Sequence, residues 1–262
     1  MAAACLLAAL VFGPLLADTS ATAGPYYTAD SIANTAASMA GYYAPNSFVT
    51  IYGQNLAYVT RQITTGDLHG GLLPTVLIGT GVRVLVSQIE ANVYYVSPTQ
   101  VNALIPPLLV AGPATVQLVV DGRSGPLVNL TLGGVAPALF QADARTVVAT
   151  HADGSAITQA APAHAGETVV LYASGLGLTA PPAIKDQIPK TAAPLVQMSN
   201  FRVLLNGEAV DPGRVSYAGA APGYAGLFQI NVKLPDPVAA NPEIRIGYPD
   251  QLSPAQRFLP VQ

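Results

Sequence analysis

The chain writes one phrase twice. TQVNALIP fills residues 99–106 and FQINVKLP residues 228–235. Both contain Gln-x-Asn-x-x-x-Pro: Gln100, Asn102 and Pro106 in one, Gln229, Asn231 and Pro235 in the other. The landmarks around each copy keep one order. Val49-Thr50-Ile51-Tyr52-Gly53 answers Val169-Val170-Leu171-Tyr172-Ala173, and Leu56 answers Leu176. A proline loop follows in each (Leu73-Pro74, Ala193-Pro194), then an apolar run (81–88, 201–208), then the phrase, then a strand pair (115–132, 243–261). Ordered self-similarity is the mark of a repeated structural unit. The expected units are residues 24–133 and 134–262, joined near Gly133-Gly134-Val135-Ala136-Pro137.

Each unit reads as β. In 229–234, period-2 alternation puts Ile230, Val232 and Leu234 on one face and Gln229, Asn231 and Lys233 on the other. In the first copy Val101 faces in, while Gln100 and Asn102 face out. Pro106 and Pro235 stop their strands because proline has no ladder N–H. The outward amides are expected to bond backbone at the strand edge or in neighbouring loops. Asp121-Gly122, Asn206-Gly207 and Asp153-Gly154 are hairpin-turn dipeptides. The best short helix candidate is DSIANTAASMA, 30–40. Short strands at this spacing predict an all-β chain of two tandem immunoglobulin-like β-sandwich units.

Composition narrows the function. Charged residues are 10%, against about 25% in an average domain. The net charge is −3 and Lys and Arg form no cluster, so the footprint for nucleic acid or an anionic membrane surface is missing. Residues 5–16, CLLAALVFGPLL, are too few to span a bilayer. Followed by Ala21-Thr22-Ala23, they read as a signal peptide over residues 1–23, although no Lys or Arg precedes the run. The alternative is a buried apolar first strand or helix. Cleavage predicts a secreted or cell-surface protein, extracellular or periplasmic, with no membrane span in the mature chain. Cleavage also removes Cys5, the single cysteine, and with it any disulfide or thiol chemistry.

The phrases SIANTAAS (31–38), APNSFVTIYGQNLA (44–57), YYVSPTQVNALIP (94–106), VAPALF (135–140), HADGSAI (151–157), PAHAGETVVLYASGLG (162–177) and YAGAAPGYAGLFQINVKLP (217–235) resemble, in order, an uncharacterised bacterial Ig-like family. That family is distantly similar to IPT/TIG domains and is found at the C-terminal ends of large secreted proteins of soil bacteria. Asn46 stands where the family usually has Gly, and Ala138 where Gly is common. The resemblance implies tandem sandwiches and secretion. It implies no chemistry.

A search for chemistry finds no constellation. His69, His151 and His164 share no metal-ligand spacing, and His151 with Asp153 makes two ligands, which are not a site. Ser174 and Ser124 lack the nucleophile elbow. No phosphate loop or calcium loop is visible. The reading is therefore no catalytic residue, no cofactor and no metal. Tyr is 12 and Trp 0, with tyrosines paired at 26–27, 42–43 and 94–95. One member of a strand doublet must face outward. Tyr94, Tyr95 and Tyr224 are the candidate ligand contacts, since exposed tyrosines stack on sugars or anchor partners. The expected function is a non-catalytic secreted or surface module acting as spacer or adhesion domain. Its partner would be a protein or polysaccharide outside the cell. The alternative is a carbohydrate- or polymer-binding module using those tyrosines, with a hydrolase last.

Overall fold

A computed structural model describes residues 23–262. The apolar run at 5–16, and the signal peptide expected there, lie outside the described residues. The first half carries β1 (Ile32–Asn34), β2 (Phe48–Tyr52), β3 (Arg61–Gln62), β4 (Val82–Val86) and β5 (Ile89–Glu90). It continues with β6 (Asn92–Val96), β7 (Gln100–Leu104), β8 (Gly112–Val120), β9 (Arg123–Ser124) and β10 (Val128–Leu132). The second half carries β11 (Ala138–Leu139), β12 (Ala149–His151), β13 (Thr168–Ser174), β14 (Ala193–Pro194) and β15 (Arg202–Leu205). It ends with β16 (Glu208–Ala209), β17 (Val215–Ala220), β18 (Phe228–Lys233), β19 (Ile244–Tyr248) and β20 (Gln251–Leu252). No helix among the described residues is long and apolar enough to cross a membrane.

The sheets repeat as the sequence does. The first unit packs β1-β2-β7-β6-β3 against β10-β8-β4-β5. The second packs β11-β13-β18-β17-β14, with β12 also on β13, against β16-β15-β19-β20. The protein is all-β, two tandem immunoglobulin-like sandwiches. Registers agree residue for residue: Ile51↔Val101 matches Leu171↔Ile230, and Tyr52↔Gln100 matches Tyr172↔Gln229. Each unit encloses its own core, one around Ile51, Leu118 and Val101, the other around Leu171, Ile230 and Ile246. Burying one such side chain stabilises by about 1.5–3 kcal/mol. Each unit also pairs an early segment in parallel with a late one, Tyr43↔Leu132 in the first and Ala163↔Val261 in the second.

Local chemistry explains the turns. Asp121-Gly122 and Asn206-Gly207 both take left-handed φ (47° and 79°; 51° and 84°) and close two-residue hairpins. Ser87-Gln88 does the same at 48° and 67° without any glycine or asparagine to announce it. The segment 30–40 is not a helix beyond the 3₁₀ turn Ala29–Ser31. Asn34 wins that contest: its side-chain oxygen accepts from the Ala36 and Ala37 amides and folds the chain into a turn instead.

The units are bonded along a seam. Leu73 N donates to Asp186 O at 2.7 Å, and Asn92 Nδ2 to Asp186 Oδ1 at 2.8 Å. Ser174 Oγ accepts from Phe48 N and donates to Gly226 O, both at 3.4 Å. Gln141 Nε2 donates to Ala36 O, and Tyr42 OH to Pro137 O. Apolar contacts back these bonds. Leu104 of the first unit packs with Leu73 and with Ala225 of the second. Gly226 lies on Leu104 and Phe48 so closely that a Cβ there would come within 2.4 Å of Leu104. A hollow of about 300 Å³ opens beside the seam between Leu73, Pro107, Pro182 and Ile184.

Candidate functional site

The candidate site is the outer face of β2-β7-β6-β3. A bulge creates it. Strict alternation would send Tyr94 and Tyr95 to opposite faces. Instead Val93 pairs with Ala103 and Tyr95 with Asn102, leaving Tyr94 as the extra residue. Both rings therefore reach the outer side. Tyr95 stands opposite Asn102 on one flank and Gln62 on the other. Tyr94 lies edge-on to Phe48 at 4.9 Å, in the apolar cluster with Leu73, Leu104 and Ala225. Its hydroxyl is buried with no hydrogen-bond partner among the described residues. Burial pushes its phenol far above the usual range.

The outer face thus has two halves. Phe48, Leu104 and Tyr94 form an apolar half, which the second unit's loop 221–227 covers. Tyr52, Gln100, Asn102, Tyr95 and Gln62 form a polar half, of which Gln62, Tyr95, Gln100 and Asn102 line a shallow open hollow of about 270 Å³. Tyr224 sits in the covering loop, 65% exposed, beside the Ala225 that packs on Leu104. Of the expected contacts, Tyr94 and Tyr95 share one hollow, and Tyr224 rides on the loop that borders that face. Tyr52, 49% exposed, and Gln62 were not singled out in the sequence. Tyr52 was readable in principle, as the cross-strand neighbour of Gln100 once β2 and β7 are aligned.

The repeated amides do not bond backbone as expected. Gln100 Nε2 donates to Asn102 Oδ1 at 2.9 Å, and Gln229 Nε2 to Asn231 Oδ1 at 2.8 Å. Residues two apart on a strand share a face, so the pair satisfies half of each amide and fixes the other half. The surroundings differ between units. Tyr217, the counterpart of Tyr95, accepts from Ala193 N at 3.1 Å and donates to Ala220 O at 2.6 Å. Tyr172, the counterpart of Tyr52, shares a 3.4 Å bond with Thr150 Oγ1.

Several other chemistry-bearing residues are occupied structurally. His151 Nδ1 meets Glu167 Oε1 at 2.5 Å, which raises the His151 pKa, while Asp153 caps the turn at Ser155. Ser174 is buried in the seam, and Ser124 lies on an exposed hairpin. Among the described residues no three His, Cys, Asp or Glu side chains gather to hold a metal. Asp67 is fully buried beside Arg61. Burial pushes its pKa up, but bonds from Thr64, Ile78 and Arg61 outweigh that and bring it down to about 2.

No family model matches the chain, and no curated protein matches it. Solved structures match it along most of its length at low structural similarity. A Bacteroides ovatus mixed-linkage glucan utilization locus SGBP-B, in complex with a mixed-linkage heptasaccharide, is 13% identical; the match covers 97% of this chain and 48% of that one, with a TM-score of 0.35. The plexin A4 extracellular region is 11% identical over 93% of this chain and 19% of that one, at 0.29. Tandem Ig repeats of Dlar are 13% identical over 92% and 96%, at 0.23. The chain spans about half or less of the first structures it matches. Likeness at this level carries no argument about activity.

Proposed function

We propose that this chain is a non-catalytic module of the cell exterior, secreted or surface-held, that works by contact. Its two units would be residues 24–133 and 134–262, behind a signal peptide at 1–23. The affiliation with the bacterial Ig-like, IPT/TIG-related family belongs to the same proposal and rests on the ordered phrases. The seam carries this reading. Bonds and apolar packing hold the units in one relative pose, as a spacer or adhesion module requires. Small-angle scattering of residues 24–262 tests it: one narrow particle is expected, and a broad spread of interdomain distances would overturn the spacer role.

One observation favours carbohydrate binding as the second reading. The open half of the outer face combines tyrosines with amides and no charged side chain. That is the chemistry of a surface for sugars, with rings for stacking and amides for hydroxyls. Binding to a polysaccharide array, with Tyr94→Ala and Tyr224→Ala beside the parent, is the test. Saturable binding lost in a variant would support this reading. No binding to any glycan would leave a protein as the partner.

A further inference from the structure

Resting on the carbohydrate reading, we infer that the β2-β7-β6-β3 face of the first unit binds a neutral polysaccharide, and that the equivalent face of the second unit does not. The two faces descend from one pattern. Tyr52, Tyr95, Gln100 and Asn102 in the first unit correspond to Tyr172, Tyr217, Gln229 and Asn231 in the second. What separates them is which polar groups are already spent.

In the second unit Tyr217 is committed on both sides, holding Ala193 N and Ala220 O. Tyr172 is engaged by Thr150. Nothing comparable ties down the first unit: the Tyr52 and Tyr95 hydroxyls and the Gln62 amide make no bond to another described residue. The Gln100–Asn102 bond uses one Gln100 donor and an Asn102 acceptor. It leaves the Gln100 oxygen as a fixed acceptor beside the Asn102 amide as a fixed donor. A sugar hydroxyl both donates and accepts, so adjacent donors and acceptors on one strand face match a run of hydroxyls. Tyr94 lines the same hollow, and its buried hydroxyl has no partner.

Charge selects the ligand class further. The lining is Gln62, Ile63, Tyr94, Tyr95, Gln100 and Asn102, without a single ionisable acid or base other than phenols. Arg61, next along β3, is engaged by Asp67. An acidic polymer would lose its hydration here with no cation to compensate. A neutral chain would lose only hydroxyl hydration, which the amides replace. Its binding would be nearly indifferent to salt.

Affinity electrophoresis of residues 24–262 through gels holding hydroxyethyl cellulose, galactomannan, dextran, alginate or polygalacturonate makes the test. Tyr95→Ala and Gln62→Ala would run beside Asn231→Ala, with each variant's melting temperature as the folding check. Retardation by at least one neutral polymer is expected, unchanged between 50 and 500 mM salt. Tyr95→Ala should weaken it roughly tenfold or more, the scale of a truncated hot-spot aromatic; Gln62→Ala should weaken it less, and Asn231→Ala not at all. Binding that survives Tyr95→Ala and Gln62→Ala would overturn this face while leaving the carbohydrate reading intact. Retardation only by alginate or polygalacturonate would overturn the neutral-ligand inference. No retardation by any polymer would overturn the site and the carbohydrate reading together, without touching the spacer role.

Discussion

Two residues state the internal chemistry most sharply. Asp67 accepts from Thr64 N, Thr64 Oγ1, Ile78 N and Arg61 Nη2, and its pKa falls to about 2. A carboxylate depressed on folding contributes stability above its unfolded pKa of about 3.9, and that contribution is lost as pH falls toward 2. Melting temperature should therefore drop between pH 5 and 2, and drop less in Asp67→Asn. At pH 7 that variant should lose about 1–3 kcal/mol, since buried donors lose their acceptor. Equal pH slopes for both proteins would sink the argument. Tyr94 makes the opposite case. Its hydroxyl is desolvated and unpaired, so Tyr94→Phe should leave the protein as stable or raise it by about 1 kcal/mol, measured by denaturant unfolding. A loss of stability would mean that the hydroxyl has a partner.

Strands and turns were the most legible level. The alternation around Gln100 and Gln229, the three glycine hairpins and the repeat all read directly from residue types. The Ser87-Gln88 turn did not, because those residues carry no preference for left-handed φ and the flanking strands impose it. Nor did the bulge at Tyr94. One extra residue in a strand is set by pairing with β7, and pairing is a non-local fact. That is why alternation alone placed only one of Tyr94 and Tyr95 outward. The site was half legible for the same reason: its tyrosines on β6 were visible, but Tyr52 and Gln62 join it only through sheet neighbours. The Asn206-Gly207 turn offers a test at this scale. Asn206 holds φ 51° and accepts from Glu243 N at 2.9 Å. Asn206→Ala should cost about 1–2 kcal/mol in chemical denaturation, combining backbone strain with a lost acceptor. A cost near zero would mean the β15–β16 ribbon frays anyway.

At the scale of the molecule, the second unit protects the first. Its loop 221–227 covers Phe48 and Leu104, which would otherwise be an apolar patch on an outer sheet face. Gly226→Leu should wedge that contact open. We expect a wider distribution of interdomain distances by small-angle scattering and faster proteolysis at residues 133–137, with both cores still folded. An unchanged particle would show that the seam rests on the Asp186 and Ser174 bonds instead.

The parallel bridges have a consequence of a mechanical kind. Gly133 N bonds Tyr43 O at the end of the first unit, and Gln262 N bonds Ala163 O at the end of the second. A pull along the chain meets these parallel pairings side-on. Their bonds are then sheared together rather than peeled one at a time. Tension applied between Tyr43 and Gly133, or between Ala163 and Gln262, would therefore be borne by these closing pairs before the sandwich behind them opens.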